Sequence, residues 1–230
     1  MARERIVILT GAGISAESGL GTFRDQGGLW AEHRVEDVAT PEGFERDPEL
    51  VLRFYNMRRA EAAKAAPNAA HTALAALERA HDVLIVTQNV DALHEAGGAQ
   101  NVLHMHGSLA RAKCAACAAE WDAPMVMTVS DPCPVCAAQA TRPDIVWFGE
   151  MPYGLDEIDA ALSAATLFAA IGTSGNVYPA AGFVAEASRL GVRTVEINLA
   201  PSAGAALFDE TRIGPASTTV PEWVATLTQR

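Results

Sequence analysis

A chain of 230 residues, half of them apolar and a fifth charged, has the composition of an ordinary globular protein, long enough for one full core with a sizeable insertion. Its net charge of −11 and pI near 4.9 run against a general nucleic-acid surface, which needs clustered Lys and Arg. No apolar run reaches the length of a membrane span, and residues 6–9 behind Arg3 and Arg5 are too short for a signal-peptide core, so a cytoplasmic protein without membrane or nucleic-acid partners is expected.

Taken in chain order, residues 6–9 are apolar and mostly β-branched, as in a parallel strand covered on both faces. Gly11-x-Gly13-x-x-Ala16 follows, and Ser15, Glu17 and Ser18 suit a helix N-terminus. Such a turn brings backbone amides and a helix dipole to a pyrophosphate, or is simply a tight turn. Residues 34–66 read as a helical excursion. Within it Val51, Tyr55 and Arg58 share a stripe at i, i+4 and i+7, which sets an arginine where the apolar side should continue. A snorkelling Arg58, or an Arg58–Glu61 pair, would explain it equally well.

A helix is expected over 67–81 and a buried strand over 83–86. Gln88, Asn89 and Asp91 follow that strand, offering amide and carboxylate groups to a carboxamide or a ribose, or else forming an Asx-turn. His104-Met105-His106-Gly107 adds two imidazoles on one strand face, with a glycine that permits close backbone approach. Either histidine is eligible as a general base, and pattern alone does not choose between them. All four cysteines then stand in two brackets, Cys114-x-x-Cys117 and Cys133-x-x-Cys136, with 15 residues between them. Two such knuckles converge four thiolates on one tetrahedral ion, so one structural zinc is expected, with no open position for catalysis.

Helical patterns over 155–165 and 179–190 alternate with strands over 167–171 and 192–197, which end in Gly172-Thr173-Ser174-Gly175 and Asn198. The alternation predicts an α/β fold: a Rossmann-like doubly wound parallel sheet whose ligands bind beyond the strands' carboxyl ends. The expected lobes are a nucleotide-binding one over about 1–33, 67–107 and 146–230, and a smaller zinc-binding and helical one inserted over about 34–66 and 108–145.

The segments GAGISAESGLGTFRD, TQNVDALH, HMHGS, the paired CxxC, RPDIVWFGE, GTSGNVYPAA and EINLAPS resemble, in this order, those of the sirtuin family, most closely its bacterial CobB-type members that include desuccinylases and demalonylases. The resemblance implies an NAD-dependent protein-lysine deacylase acting on acyl-lysine proteins or peptides. In that chemistry the acyl oxygen displaces nicotinamide from the ribose, and free lysine, nicotinamide and O-acyl-ADP-ribose result. It implies that His106 is the base, that Asn89 orders the ribose and a water, and that Asp91 and the Val90 backbone hold the carboxamide. Gly11, Ala12, Gly13, Ala16, Glu17, Phe23, Arg24 and Gln88 match the cofactor segments, with Phe23 shielding the ribose and Arg24 pairing with phosphate. Gly172, Thr173 and Ser174 match phosphate and ribose contacts, while Asn198 and Ala216 match the adenosine end. Val146, Trp147 and Phe148 would line a cleft where the peptide adds as an extended strand. Tyr55-x-x-Arg58 resembles the pair that grips acidic acyl groups, and Ala39 matches the small residue that leaves room for them. NAD is then a consumed co-substrate. No strand leads to Glu32 or Asp37, where a dehydrogenase would keep its ribose-binding acid. A monomer is plausible. The rival activities are mono-ADP-ribosyl transfer or NAD glycohydrolysis, and outside enzymes a non-catalytic zinc-ribbon module.

Overall fold

The computed structural model describes residues 3–21 and 33–228. Six parallel strands form the main sheet in the order β3-β2-β1-β7-β8-β9. They are β1 (Arg5–Thr10), β2 (Asp82–Thr87), β3 (Val102–His104), β7 (Leu167–Ile171), β8 (Arg193–Asn198) and β9 (Glu210–Ile213). Side chains alternate between its faces. Ile6 and Ile8 enter one core with α4 (Ala69–Leu77) and α8 (Ala216–Thr228), where Trp223 is among the largest buried side chains. Val7 and Leu9 enter the other, with α6 (Leu155–Ala164) and α7 (Phe183–Arg189). Both faces are dry, which is why β1, β2 and β7 carry almost no polar residue before their last position.

Register decides where the polar strand ends go. Thr10 stands level with Thr87 and Ile171, Thr87 with His104, and Ile171 with Ile197. The segments opening at Gly11, Gln88, Met105, Gly172 and Asn198 therefore leave the sheet along one line. From β1 the chain winds outward to β3 and then returns to β1's other side at β7, so the switch point lies between β1 and β7, where a doubly wound sheet opens its ligand crevice.

A second sheet of β5-β4-β6 is antiparallel: β4 (Gly107–Cys114), β5 (Glu120–Asp122) and β6 (Thr141–Ile145). Beside it lie α1 (Val35–Val38), α2 (Pro41–Arg46) and α3 (Pro48–Ala62). Sequence punctuates these helices: Thr40 and Asp47 are N-caps accepting from Gly43 N and Leu50 N at 3.0 and 2.9 Å, each followed by a proline at the first helical position. Val38, Val51, Phe54, Tyr55, Val90, Leu109 and Trp147 make a third core that joins this region to the main sheet's loops.

Several local expectations change. The glycine turn opens two 3-10 turns, Ala12–Ile14 and Ala16–Ser18, closed by Gly19 at φ 87°, rather than a regular helix. The chain between the two histidines turns: β3 stops at His104 and β4 starts at Gly107, so they do not share a strand face. Strands β3 and β9, with α5 (Leu93–Ala96) and α8, were not evident from pattern. β9 is an edge strand with mostly exposed residues and an Arg212–Glu210 pair, the polar dress that edges carry.

Candidate active site and metal centre

Ser15 is the centre of the crevice floor. Its hydroxyl donates to Asp91 Oδ2 at 3.1 Å and accepts from Asn89 Nδ2 at 3.2 Å. His71 Nε2 approaches the same oxygen at 3.4 Å. Because the Asn68 N–H donates to His71 Nδ1 at 3.2 Å, the ring proton lies on Nε2 and donates to Ser15. All of Ser15's hydrogen-bonding capacity is thereby used, and every member of the cluster is buried. Asn89 also donates to Gly11 O at 3.1 Å, which ties the β2 loop to the β1 turn. Both amide protons of Asn89 are thus engaged, whereas its Oδ1 takes no hydrogen bond from a described residue. Asp91 Oδ1 accepts from Leu93 N at 3.0 Å, an Asx-type contact. Burial raises the Asp91 pKa, with the Leu93 and Ser15 hydrogen bonds working the other way. The N–H groups of Val90 and Asp91 find no acceptor among the described residues.

The cluster extends behind the floor. His94 Nε2 lies 2.9 Å from Thr10 Oγ1, and its ring meets His71 edge-on at 5.0 Å. Desolvation pushes His71 down to about 4 and His94 to about 3, so both are neutral at ordinary pH. Sequence reading missed Thr10, His71 and His94, and took Ser15 only as a helix-cap residue. One signal was legible: Asn68-x-x-His71 has capping-box spacing, and both of its reciprocal bonds form.

His104 and His106 differ in what they leave available. His104 has both nitrogens engaged by acceptors, Nδ1 on Asn89 O at 3.2 Å and Nε2 on Glu95 Oε1 at 2.7 Å. Burial opposes its charge, but the Glu95 hydrogen bond and carboxylate raise its pKa overall. His106 places Nδ1 on Gln88 O at 3.1 Å. A carbonyl only accepts, so the proton sits on Nδ1 and Nε2 keeps its lone pair. Burial lowers the His106 pKa despite the Gln88 bond, favouring the neutral ring. Gly107, at φ +80°, makes this placement possible: a Cβ there would lie 2.1 Å from Asp144 O.

Across the crevice, the Gly172 turn packs against the Gly11 turn through Gly13 N to Gly172 O at 2.9 Å, and a Cβ on Gly13 would fall 2.7 Å from Gly172 Cα. Gln88 Nε2 donates to Thr173 Oγ1 at 3.0 Å, and Asn198 Nδ2 to Thr173 O at 2.7 Å. Ser174 stands at the half-buried rim, with Ala203 N on its carbonyl. Ala12, Gly13 and Ala16 are half-buried at the mouth. Glu17 has another task. Its carboxylate accepts from Ser217 N and Oγ at 2.9 and 2.7 Å, seating the first turn of α8 beside Ala216, and these bonds hold its pKa down. Phe23 and Arg24 lie outside the described residues, as does Glu32; Asp37 sits in α1, paired with Arg46 at 2.6 Å. The unused acceptor of Asn89 and the unused N–H donors of Val90 and Asp91, on residues that are themselves buried, have the chemistry that ribose hydroxyls and a carboxamide require.

On α3, Tyr55 is 1% exposed and its hydroxyl accepts from Trp147 Nε1 at 3.0 Å. Arg58 is half-buried, its Cζ 5.8 and 5.9 Å from the Phe54 and Tyr55 ring centres, with burial lowering its pKa while Tyr55, Asp91 and Glu61 oppose that. Ala39 joins Tyr55 and Trp147 in one apolar cluster. Arg59, unremarked in the sequence, is the more buried arginine: its Nε donates to Leu109 O at 2.7 Å and Nη1 to Asn56 Oδ1 at 2.9 Å, bolting α3 to β4.

The segment 146–148 differs from a simple cleft wall. Val146 N donates to His106 O, Trp147 N to Glu150 Oε2 and Phe148 N to Ala39 O, at 3.0, 2.8 and 2.9 Å. A peptide adding here would meet carbonyls only, because these three N–H groups are already used. Trp147 is buried beneath the wall at 2% exposure, whereas Phe148 is 50% exposed and Val146 intermediate.

The four cysteines form two matching knuckles. Ala118 and Ala137 adopt φ 58° and 59°, with Ala118 N on Cys114 O and Ala137 N on Cys133 O at 3.0 Å each. Ala116 N and Val135 N point at Cys114 Sγ and Cys133 Sγ at 3.4 Å. All four sulfurs lie within 4.8 Å of one another, and two pairs are 3.7 Å apart. A zinc–thiolate tetrahedron, with Zn–S of about 2.3 Å, has S···S edges of about 3.8 Å. The residues fit the metal.

A switch-point crevice on a doubly wound sheet, beside a four-thiolate module, defines a nucleotide-binding α/β protein with a structural metal centre. The Sir2 family model matches residues 11–179, and the chain belongs to that family. It is 54% identical over 232 residues to an NAD-dependent protein deacylase of Caulobacter vibrioides, covering 98% of each chain. With the NAD-dependent protein deacylase of Escherichia coli K12 it shares 56% identity over 232 residues, covering 99% of this chain and 83% of that one. Among solved structures, a Sir2 homologue–NAD complex superposes with a TM-score of 0.90 at 37% identity, over 97% of this chain and 89% of that one. A mutant Sir2 homologue–ADP-ribose complex superposes with a TM-score of 0.91 at 37% identity, over 97% and 92%. The Rossmann-like fold expected from the alternation of elements is thereby established. No described helix is long and apolar enough to cross a membrane.

Proposed function

We propose that this protein is an NAD-dependent protein-lysine deacylase that removes acetyl and acidic acyl groups, succinyl and malonyl among them. The observation that carries the catalytic assignment is the contrast between the histidines. Of His104 and His106, only His106 leaves a ring nitrogen, Nε2, with its lone pair unused, held by its Nδ1–Gln88 bond beside the Asn89 loop. NAD, when bound, supplies the ribose carbon that takes up the acyl oxygen as nicotinamide leaves. His106 takes a proton from a ribose hydroxyl, and its depressed pKa keeps it neutral for that purpose. Asn89, immobilised through both amide protons, offers Oδ1 to that hydroxyl or to a water. The N–H groups of Val90 and Asp91, with the Asp91 carboxylate, suit the carboxamide. Thr173, Ser174, Asn198 and the Ala216 end of α8 receive the rest of the dinucleotide. One zinc holds the small sheet together. The lobes follow the two sheets, and the physiological partners are acyl-lysine proteins.

Acyl choice rests on α3. The Arg58 guanidinium and Tyr55 hydroxyl stand on neighbouring turns near the small Ala39, a fork and a donor for a terminal carboxylate. An acetyl group lacks that carboxylate. Arg58→Met should therefore lower kcat/KM for a succinyl peptide about ten- to a hundred-fold, mainly through KM, and affect an acetyl peptide far less. Tyr55→Phe should act in the same direction more mildly. Mass spectrometry of products from matched acetyl and succinyl peptides with NAD tests the activity itself. O-acyl-ADP-ribose with free lysine supports deacylation; ADP-ribosylated peptide or ADP-ribose alone would replace it with transfer or glycohydrolysis.

A further inference from the structure

Tyr55 and Trp147 form a hydrogen bond whose direction admits one answer. An indole nitrogen only donates, so the 3.0 Å contact is Trp147 Nε1–H to the Tyr55 oxygen. The phenolic proton must point elsewhere. Tyr55 is 1% exposed, and no described residue accepts that proton. A buried donor without an acceptor is unfavourable, and an anionic ligand relieves the cost most effectively. A hydroxyl that is already accepting a hydrogen bond is also a stronger donor.

Trp147 is held so that it cannot turn away. The Arg142 guanidinium stacks 3.5 Å from its ring centre, and the Phe44 ring lies 5.1 Å away. Glu150 grips Arg142 through both oxygens, at 2.6 and 2.9 Å, and also accepts the Trp147 backbone N–H at 2.8 Å. Arg142 in turn donates to Ile145 O at 2.9 Å. The indole is thus fixed in plane and position by groups that are themselves paired. A phenylalanine at 147 would keep an aromatic face for the stacking, but would lose the donor and part of the ring's volume.

We propose that Trp147 is a positioning residue for acyl selectivity: its Nε1–H occupies the Tyr55 oxygen from behind and leaves the phenolic proton aimed into the acyl pocket, where a terminal carboxylate accepts it. This rests on the acidic-acyl function proposed for Tyr55 and Arg58, and extends it to a residue that a substrate need not touch. The expected signature is a change in preference. Trp147→Phe should lower the ratio of succinyl to acetyl kcat/KM by about three- to tenfold, the range of one neutral hydrogen bond, and the loss should fall on the succinyl KM. Because the smaller ring also leaves space in the core, Trp147→3-benzothienylalanine provides an isosteric control that removes the N–H and preserves the shape.

Steady-state kinetics on matched succinyl and acetyl peptides would be measured for both Trp147 replacements, Tyr55→Phe, Arg58→Met and the Tyr55→Phe/Trp147→Phe double variant. The inference is supported if both Trp147 replacements lower the ratio and the double variant loses no more selectivity than Tyr55→Phe alone. It is overturned if the ratio stays within about twofold for the isostere, if both substrates suffer equally, or if the two substitutions add. In those cases, a selective loss in Arg58→Met and Tyr55→Phe would leave acidic-acyl recognition standing. Unselective behaviour of Arg58→Met and Tyr55→Phe would remove that recognition, and this inference with it.

Discussion

His104 and His106 are separated by one residue, and the hydrogen bonds around them assign opposite characters. His104 bridges the Asn89 carbonyl and Glu95 and carries a raised pKa; His106 keeps one nitrogen open and carries a lowered one. His106→Ala should cut turnover about 10²- to 10⁴-fold, the usual worth of a general base, whereas His104→Ala should cost less than about tenfold. Reversed phenotypes in a nicotinamide-release assay would exchange the assignments. The pH profile gives an independent check. A base must be unprotonated, and burial disfavours the imidazolium, so the acid limb of kcat/KM should have its midpoint below the ordinary histidine value of 6.5. A midpoint at or above that value would show that another group limits the reaction. Gly107→Ala tests the backbone that aims the base. With its Cβ directed 2.1 Å from Asp144 O and φ at +80°, alanine must displace β4 or β6, so stability and turnover should fall together.

At the scale of elements, the crevice floor joins the end of β1 to α4 and α5 through Thr10, Ser15, His71 and His94. The two histidines His71 and His94 take up no second proton in the fold until about pH 4 and 3, whereas the unfolded chain protonates them near 6.5. Between those limits the unfolded state binds more protons, so stability is fully present above about pH 6.5 and is lost as pH falls toward 4. The slope approaches about 1.4 kcal/mol per pH unit for each histidine, superposed on the carboxylates' own titration. Thermal melts from pH 7 to 5 should show a steep fall for the unaltered protein and a shallower one for His94→Asn. Equal slopes would mean that the pair does not control acid stability. The same elements show what pattern could reveal. The runs 6–9, 83–86 and 167–171 are legible as buried parallel strands because both faces are apolar, which excludes most other arrangements. β9 is not legible, since an exposed edge strand of alternating charge looks like a loop.

At the scale of the whole molecule, the four-thiolate cluster and His106 sit at opposite ends of one small sheet. Cys114 pairs with Thr141 at the metal end of β4 and β6, and Gly107 with Ile145 at the other, next to His106 and Val146. The separation is seven residues, roughly 23 Å of strand. Losing the metal should free the far end of both strands, and the antiparallel ladder should carry that loss to His106 and Val146. Purified protein should contain close to one zinc per chain. Cys114→Ala or exhaustive chelation should lower zinc content, melting temperature and activity together, as expected when metal binding supplies folding free energy. A metal-free preparation with unchanged melting temperature and turnover would exclude a structural role.

What the sequence determined by itself was local or compositional. Cysteine spacing specifies a four-thiolate centre because a knuckle closes within a few residues, and apolar runs specify buried strands because strand burial has a period of two. Ordered motifs carry the family, and with it the expected roles of His106, Asn89 and Tyr55-x-x-Arg58. Tertiary structure decided matters that depend on residues far apart in the chain. It separated His104 from His106 through Glu95 and Gln88, made Ser15 the meeting point of Asn89, Asp91 and His71, and turned Glu17 toward α8. It also moved Trp147 from the cleft wall to a place behind Tyr55, 92 positions away. Hydrogen-bond direction and burial belong to pairs of atoms brought together by strand register and core packing, and no pattern along one segment contains that information.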